Sequence, residues 1–422
     1  MQRITFFLLL VFLVSCKKAE ISNPSASGSD YPTHIESSIN VTQSMPAMLP
    51  KHLAMGVENS AGQSSQIISE AEYRYTYLAG DIFSSGWTNW NFPSGQFARI
   101  FLQQTQQMGK TPVFTYYNLV PARGLNQDPA FANMNDSEVM RKYFDDWKFI
   151  LQICKDFSST VIIHYEPDLL GYMEMYKDDA GKNTIKVSQS GYADAQGYSN
   201  DAKGLAQVIV SMRNKYAPNV LLGWHASQWA TGADLIKGKN NPELLASQTA
   251  AYYKSLGASF DLIFAEFADR DAGYDQLVNN KANTMWSTEA NSANNNMSDF
   301  ERFRRFLKKL NQETGQKIML WQIPMGNTKT LTCNNTNGHY KDNRSEYFMQ
   351  PVLDSRSTSN LNDYAQAGVI ALLFGKGTAA CTSYLDSSND GVTGANESSD
   401  DDGGYLRKAV KAYYAAGAVT IP

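Results

Sequence analysis

The stretch DSEVMRKYFDDWKFILQICKDFSSTVIIHYEPD, residues 136–168, contains a helix, a strand and a polar strand end in that order. In its first part, apolar residues recur at helical spacing behind Asp136, which predicts an amphipathic helix with an aspartate cap. The run TVIIHYEP that follows is short and β-rich, and predicts a buried strand. Glu166 and Asp168 come at the end of this strand, where a buried sheet has no structural use for two carboxylates.

The same alternation of short strand and longer helix recurs from residue 51 to the end of the chain, without an internal linker. Ser298 is a second predicted helix cap. Alternating strands and helices imply right-handed crossovers and a parallel sheet. Eight such units favour a closed (β/α)8 TIM barrel over an open doubly wound sheet. The predicted strands are residues 52–59, 73–80, 111–118, 160–167, 219–226, 260–267, 317–324 and 368–375.

Four of the segments that follow strands are longer than a minimal barrel needs, namely residues 168–200, 268–297, 325–345 and 376–403. In a TIM barrel, the loops after the strands gather on the C-terminal face, where active sites are built. We therefore expect the polar residues at the strand ends to meet in one cleft.

The N-terminus predicts export. Residues 1–15 contain a basic residue and an apolar run that is too short to span a bilayer, as in a signal peptide. The segment Leu-Val-Ser-Cys at residues 13–16 resembles a bacterial lipobox, which implies cleavage before Cys16 and lipidation of its thiol. The alternative is an ordinary signal peptide with a chance cysteine. Residues 16–50, rich in Ser, Asn and Pro, predict a flexible tether, and residues 51–422 predict the barrel.

Composition narrows the function. The net charge is −4, from 37 Lys and Arg against 41 Asp and Glu, which argues against a duplex nucleic-acid binder because such proteins need a basic face. The 23 Tyr and 7 Trp offer flat apolar faces with polar edges, which suit sugar rings. We expect a monomer held on the periplasmic or cell-surface side of a membrane by its lipid anchor, with a polysaccharide or oligosaccharide as its substrate.

Cleavage of a glycosidic bond usually requires two carboxyl groups. Glu166 is the predicted general acid, because Tyr165 and Pro167 beside it offer the partial desolvation that raises a carboxyl pKa. Its partner is expected from the sixth strand, which offers Glu266 at its end and then the loop residues Asp269 and Asp271.

Each of these motifs has a structural alternative. Asp168 can be a helix cap after a strand stop, and Asp-Arg-Asp at residues 269–271 can be an ion-pair network that fixes a loop. The side chains predicted to bind substrate share a place at or just beyond a strand end, and are Tyr116, Tyr117, His164, Asp168, Trp224, His225, Trp229, Arg270, Trp321, Gln322, Asn327 and Lys376.

This arrangement resembles the (β/α)8 glycoside hydrolases over residues of about 51–422. In the largest clan of these enzymes the fourth strand carries Asn-Glu and the seventh a nucleophilic Glu. Here the fourth strand reads His164-Tyr165-Glu166 and the seventh ends at Gln322, so the chain departs from that clan. Glu-Pro-Asp and Asp-Arg-Asp are also similar to motifs of cellobiohydrolase-type inverting enzymes, in reversed order.

Two further features concern metals and thiols. Asp386, Ser388, Asp390 and Glu397 follow the spacing of a twelve-residue calcium loop, and the alternative is a solvated acidic loop. No other metal motif is present in the sequence, and we expect no required cofactor. Cys333 and Cys381 lie in polar segments and are candidates for a disulfide in an oxidising compartment, whereas Cys154 is expected to be a buried free thiol.

The sequence thus favours a lipid-anchored glycoside hydrolase. A non-catalytic glycan-binding barrel is the main alternative, because the same carboxylates and aromatic rings can bind hydroxyl groups and sugar faces without catalysis. A metal-dependent hydrolase of another bond is a third hypothesis, which the lack of clustered histidines disfavours.

Overall fold

The computed structural model describes residues 46, 48–123 and 130–422. The predicted signal peptide, Cys16 and the tether as far as residue 45 lie outside the described residues. No helix in the described part of the chain is both long and apolar enough to cross a membrane.

Eight parallel strands close into one barrel in the order of the sequence, which confirms the predicted (β/α)8 fold. Each observed strand lies within its predicted run. The strands are β1 (Ala54–Glu58), β2 (Tyr73–Ala79), β3 (Thr111–Tyr117), β4 (Val161–Tyr165), β5 (Val220–Ala226), β6 (Leu262–Glu266), β7 (Ile318–Ile323) and β8 (Val369–Phe374). The barrel closes where Gly56 of β1 pairs with Leu373 of β8.

Helices follow the strands and cover the outside of the barrel. The α-helices in the described residues are α1 (Gln96–Gln107), α2 (Phe131–Met134), α3 (Ser137–Phe157), α4 (Leu169–Met175), α5 (Ala202–Tyr216), α6 (Pro242–Ser255), α7 (Ala272–Leu277), α8 (Asp299–Thr314), α9 (Arg344–Ser355), α10 (Ser359–Gln366) and α11 (Tyr405–Ala416). Short 3₁₀ turns lie at Ser64–Gln66, Trp87–Asn89, Ser188–Ser190, Ala193–Ala195 and Ser292–Asn294.

Both predicted helix caps are confirmed. The Asp136 carboxylate accepts hydrogen bonds from the backbone N–H groups of Glu138 and Val139 at the start of α3. The Ser298 hydroxyl accepts one from Glu301 N–H at the start of α8. These bonds satisfy amides that have no partner within the helix, which is why each helix begins where it does.

Two hydrophobic cores hold the barrel together. The larger lies between the strands and the helices. The smaller fills the lumen, and its members come from alternate positions of the strands because successive strand side chains point to opposite faces. The lumen core includes Ala54, Tyr73, Tyr75, Val113, Ile162, Leu262, Phe264, Met319, Trp321, Ala371 and Leu373. The lumen is therefore packed with side chains, and a ligand site belongs at its mouth.

Candidate active site

The ends of β4, β5 and β6 bring three of the predicted site side chains together at the C-terminal mouth of the barrel. Asp168 follows β4, His225 is the second-last residue of β5, and Glu266 is the last residue of β6. One carboxylate oxygen from each acid and one ring nitrogen of His225 all lie within 4.8 Å of one another. His225 is 1% exposed and Glu266 is 5% exposed, whereas Asp168 is half-buried. We call Asp168 and Glu266 the carboxylate pair.

Two carboxylates and an imidazole are also a ligand set that divalent metal ions accept. Among the described residues, this is the one group of three or more Asp, Glu, His or Cys side chains whose ligand atoms come this close. The sequence motifs did not indicate it, because its members come from three strands that are about 40 to 60 residues apart in the chain.

The backbone at this mouth is strained. Glu166, Asp168 and Gln322 have φ angles of 40°, 71° and 59°, in the left-handed region that residues with a Cβ avoid. Such residues cost on the order of 1–3 kcal/mol each and cluster at functional sites. Two strand ends of this barrel carry that strain, and both face the same mouth.

Glu166 has a different environment from the one predicted for a general acid. Its side chain is fully buried, and Oε1 accepts hydrogen bonds from the backbone N–H groups of Asn118 and Leu119 at 3.0 and 3.2 Å. Burial raises the pKa of Glu166 to about 8. The role of Glu166 as general acid stays a prediction, and Asp168 is the more accessible carboxyl group at this strand end.

The Asp-Arg-Asp segment divides between two environments. Asp269 and Arg270 lie half-buried at the rim, where their side chains form an ion pair at 3.5 Å. Asp271 is buried and accepts hydrogen bonds from the backbone N–H groups of Gly326 and Thr382. It thereby ties the loops after β6, β7 and β8 together. These bonds give Asp271 a structural role between the loops, and its predicted catalytic role stays a prediction.

Two of the predicted sugar platforms are core residues. Tyr116 is fully buried, donates its hydroxyl hydrogen to Asp146 and packs on Trp147 in α3. Trp224 is 1% exposed and packs on Tyr253 in α6. Both side chains point outward from their strands to the helices, because they alternate with the residues that face the lumen. Neither ring is available to a sugar.

Two other predicted residues also have structural surroundings. Asn327 is fully buried, and its side chain bonds to the backbone of Lys329, Thr330 and Asp402 within the loops after β7 and β8. His164 is fully buried in the lumen below the mouth. It does not contact solvent, so the prediction that it binds substrate directly is wrong.

Several predicted residues do lie at the mouth. Tyr117 ends β3 and is half-buried, and Trp321 is in the top layer of the lumen, 5.9 Å from the ring of Tyr77. Gln322 forms a hydrogen bond with the Tyr77 hydroxyl. Lys376 follows β8, and its ammonium group donates to Ser387 Oγ at 3.1 Å. These side chains lie at or just beyond the C-terminal ends of β3, β7 and β8.

Trp229, from the loop after β5, provides an aromatic surface at the rim. Its ring lies 4.5 Å from the ring of Tyr172 in α4, and both side chains are half-buried. Helix α4 begins directly after Asp168, so this surface is attached to the same turn as one member of the carboxylate pair.

Three residues near the strand ends were not among the predicted site residues, namely Glu58, Tyr77 and Tyr172. Glu58 ends β1, and burial raises its pKa. Tyr77 is surrounded by carboxylates: burial, and then Glu58, Asp168 and Asp269, raise its pKa well above the ordinary value. The signal for Glu58 was the one that identified Glu166, a carboxylate at the end of a buried strand. The alternating tyrosines of YRYTYLA pointed to Tyr77.

The predicted calcium ligands do not converge. Both carboxylate oxygens of Glu397 accept hydrogen bonds from the backbone N–H groups of Leu331 and Thr332. Asp386 accepts one from Asp390 N–H, and a carboxylate oxygen of Asp390 lies 3.2 Å from His339 Nε2. The loop is thus held by hydrogen bonds within the protein. Asp386, Asp390 and Glu397 form no group of close ligand atoms in the described residues, and Ser388, the fourth predicted ligand, is exposed in the same loop.

The predicted disulfide is wrong. Cys333 and Cys381 are both buried free thiols, and Cys154 is the buried free thiol that was expected. Cys333 instead accepts a hydrogen bond from Asn327 Nδ2 at 3.3 Å.

Comparisons with known proteins give likenesses to solved structures alone. No family model matches the sequence, and no curated protein matches it. One solved structure is xylanase XynB from Paenibacillus barcinonensis, with 8% identity, 85% of this chain and 95% of that chain covered, and a TM-score of 0.46. A GH26 β-mannanase from Bacteroides ovatus has 10% identity, 88% and 91% coverage, and a TM-score of 0.44.

A GH5 xyloglucan-specific β-1,4-glucanase from a ruminal metagenomic library has 13% identity, 85% and 87% coverage, and a TM-score of 0.46. All three are glycoside hydrolases by their descriptions. The (β/α)8 architecture of this chain is established by its own strand order. Its chemistry is argued from its own residues.

Proposed function

We propose that this protein is a glycoside hydrolase that acts on a polysaccharide or oligosaccharide, with Asp168 and Glu266 as its two catalytic carboxyl groups. The observation that supports the proposal is the approach of these carboxylates to within 4.8 Å at the C-terminal mouth of a (β/α)8 barrel. Glycosidases need two carboxyl groups on either side of the bond they cleave.

Burial and backbone position favour Glu266 as the nucleophile. It is the last residue of a strand and is 5% exposed, so it is more deeply buried than Asp168, and the anomeric carbon of a bound sugar would sit beside it. Asp168 is half-buried and belongs to a turn, nearer to solvent, where the leaving group departs. In the first step Glu266 attacks the anomeric carbon while Asp168 protonates the leaving oxygen. Water then cleaves the glycosyl–enzyme ester, and Asp168 accepts its proton.

The separation of the carboxylate pair favours retention of configuration. Retaining enzymes place the two groups about 5–5.5 Å apart, and inverting enzymes about 6.5–9.5 Å apart to leave room for a water molecule. One oxygen of each carboxylate lies within 4.8 Å of the other, which is nearer to the retaining than to the inverting spacing. We therefore propose the two-step mechanism over single displacement.

Binding of the sugar is assigned to the aromatic rim. Trp229 and Tyr172 form a half-buried aromatic surface, of which Tyr172 is close to Asp168 in the chain, and apolar C–H faces of sugars pack on such rings. Tyr77 and Gln322 provide polar groups deeper in the mouth. We further propose that the enzyme is an exported, monomeric lipoprotein that Cys16 anchors to a membrane, with residues 16–50 as the tether.

Hydrolysis of a panel of plant, fungal and bacterial polysaccharides by the detergent-solubilised full-length protein tests the function. We expect oligosaccharide products, and a loss of about 10²- to 10⁴-fold in kcat for Asp168→Asn and Glu266→Gln. Glu166→Gln is the matched control, because its carboxyl group is buried away from the mouth. Hydrolysis that survives in Asp168→Asn and disappears in a folded Glu166→Gln variant would return the role of acid to Glu166.

Azide rescue separates the two roles. With an activated aryl glycoside, azide should restore turnover of Glu266→Ala and give a glycosyl azide of inverted configuration. With Asp168→Ala, azide should attack the intermediate and give the retained configuration. The opposite pattern would exchange the two assignments.

A non-catalytic glycan-binding barrel predicts a different result. The full-length protein would then bind glycans saturably without releasing product on long incubation, and Trp229→Ala would weaken the binding. Binding without products across the panel would replace the hydrolase proposal with that function.

A further inference from the structure

A line of three buried polar side chains runs up the barrel lumen to the carboxylate pair. Thr115 Oγ1 lies 3.4 Å from His164 Nδ1, and His164 Nε2 lies 2.8 Å from His225 Nδ1. The remaining nitrogen, His225 Nε2, is buried and has no hydrogen-bond partner. His225 is also the residue whose ring nitrogen comes within 4.8 Å of both carboxylates. The line thus ends in the proposed active site.

We propose that these residues form a one-directional hydrogen-bond chain from Thr115 through His164 to His225, and that its last group, the His225 Nε2–H, donates to the carboxylate pair. This inference rests on the proposed function for its catalytic meaning, but the direction of the hydrogen bonds does not depend on that function.

Neutral imidazoles allow two directions. Burial lowers the pKa of His225 to about 3 and, with the effect of His225 added, lowers that of His164 well below its ordinary value. Each ring therefore carries one proton, and a 2.8 Å contact between two ring nitrogens requires one donor and one acceptor. Once the proton of one imidazole is assigned to a nitrogen, the hydrogen bonds determine the proton positions on the other imidazole and on the Thr115 hydroxyl.

The carboxylate next to His225 decides between the two directions of the hydrogen bonds. In one, the Thr115 hydroxyl donates to His164 Nδ1, His164 Nε2–H donates to His225 Nδ1, and His225 Nε2 keeps its proton. In the reverse direction, His225 Nε2 presents a lone pair to the Glu266 carboxylate inside a buried site. That arrangement leaves a buried acceptor unsatisfied and places a lone pair against an anionic oxygen, so the first direction is favoured.

Aromatic side chains pack against both imidazoles of the hydrogen-bond chain. The His164 ring stacks on Phe264 at 4.2 Å with an angle of 6°, and the edge of Trp321 contacts it at 4.7 Å. Trp321 also contacts the His225 ring at 5.8 Å and 88°. These ring contacts and the hydrogen bond between the two imidazoles favour one orientation of each ring, with His225 Nε2 toward the carboxylate pair.

A fixed donor at this point serves the nucleophile. A hydrogen bond to the charged form of a carboxyl group favours ionisation. The His225 Nε2–H therefore helps to keep Glu266 ionised and oriented for attack. His164 does not touch the substrate, and it is a positioning residue that acts through His225.

Histidine tautomers give a test that does not require activity. The chain has five histidines, so long-range ¹H–¹⁵N correlation spectra of full-length protein labelled at histidine can be assigned with single variants such as His164→Phe. We expect both His164 and His225 in the Nε2–H tautomer. An Nδ1–H tautomer at His225 would overturn the proposal. So would a shift of the His225 signals with one equivalent of Zn²⁺, since the free lone pair would then make the three mouth residues a metal site.

Kinetics of the same variants test the positioning role. His164→Phe keeps the ring stack but loses the donor, and we expect kcat to fall about tenfold with KM unchanged, the effect of one hydrogen bond to a charged network. His164→Gln keeps a donor near the same position and should recover most of that loss. Equal kcat in the Phe variant and the wild type would reject the role. His52→Gln is the control, because His52 lies before β1 at the opposite end of the barrel, bonded to Glu72.

If no glycan is hydrolysed but both tautomers are as expected, the proposed function fails and the hydrogen-bond chain stands. If hydrolysis is found with His225 in the other tautomer, the function stands and the chain is refuted.

Discussion

Glu166 and Asp168 differ in environment although only Pro167 separates them. Glu166 turns toward the backbone after β3 and is fully buried, whereas Asp168 remains half-exposed in the mouth beside His225 and Glu266. The left-handed φ angles at both positions produce this division. Burial that raises the pKa of a carboxyl group does not by itself identify a general acid.

The raised pKa of Glu166 predicts a pH-dependent stability. Its folded pKa of about 8 is above the ordinary 4.5, so the folded state binds the proton more tightly. The contribution of Glu166 to stability is thus fully present below pH 4.5 and is lost as the pH rises through 8. Glu166→Gln cannot ionise. We therefore expect its free energy of unfolding, relative to that of the wild type, to increase by a few kcal/mol between pH 5 and pH 9.

Urea unfolding of both proteins at pH 5, 7 and 9 measures this difference. Comparing the two proteins cancels the contributions of other buried acids with raised pKa values, such as Glu174 and Asp402. A difference in unfolding free energy that stays constant across this range would show that Glu166 is already ionised in the folded protein.

At the scale of the element, each helix is positioned by what its ends bind. Helix α3 begins at the Asp136 cap and packs Tyr143 and Trp147 against β3 and β4, the strands whose ends shape one side of the mouth. Helix α4 begins directly after Asp168 and carries Tyr172 to the rim. The capping residues were readable in the sequence, because caps act within four residues of chain.

Removal of the α3 cap should destabilise the protein. Asp136→Ala leaves the N–H groups of Glu138 and Val139 without their acceptor, and we expect a loss of about 1 kcal/mol. Asp136→Asn keeps an acceptor at the same position and should lose less. The free energy of urea unfolding checks both, and equal losses in the two variants would assign the effect to the charge of Asp136 and its ion pair with Arg123.

At the scale of the whole molecule, closure of the barrel depends on close packing inside the lumen. Gly56 of β1 lies between Leu373 of β8 and Tyr73 of β2, the strands on either side of it. A Cβ atom at residue 56 would come within 2.7 Å of the Tyr73 Cβ, and closer still to the Leu373 side chain. The only residue that fits without displacing these neighbours is glycine.

Gly56→Ala should therefore weaken the whole barrel. Overpacking of a filled core costs about 1–3 kcal/mol. We expect the free energy of unfolding to fall by that amount and the urea midpoint to fall with it. Gly181→Ala is the control, because Gly181 is exposed and its added Cβ would meet one flexible side chain, so its effect should stay within about 0.5 kcal/mol. A midpoint for Gly56→Ala equal to that control would show that β1 and β8 move apart at little cost.

The sequence by itself determined the eight strands, the barrel they form and the strand ends at which polar side chains gather, because strand and helix periodicity are local properties of the chain. It also identified Asp168, His225 and Glu266 as residues of the site. Only the tertiary structure decided their partnership. His164 faces the lumen, and simple alternation would place Glu166 there too, but the left-handed turn at Glu166 directs its carboxyl group to the chain after β3. Two effects set which carboxylate faces Glu266: the pairing of side chains across strands and the backbone angles that the surrounding fold imposes. Neither can be predicted from residues that are adjacent in the sequence.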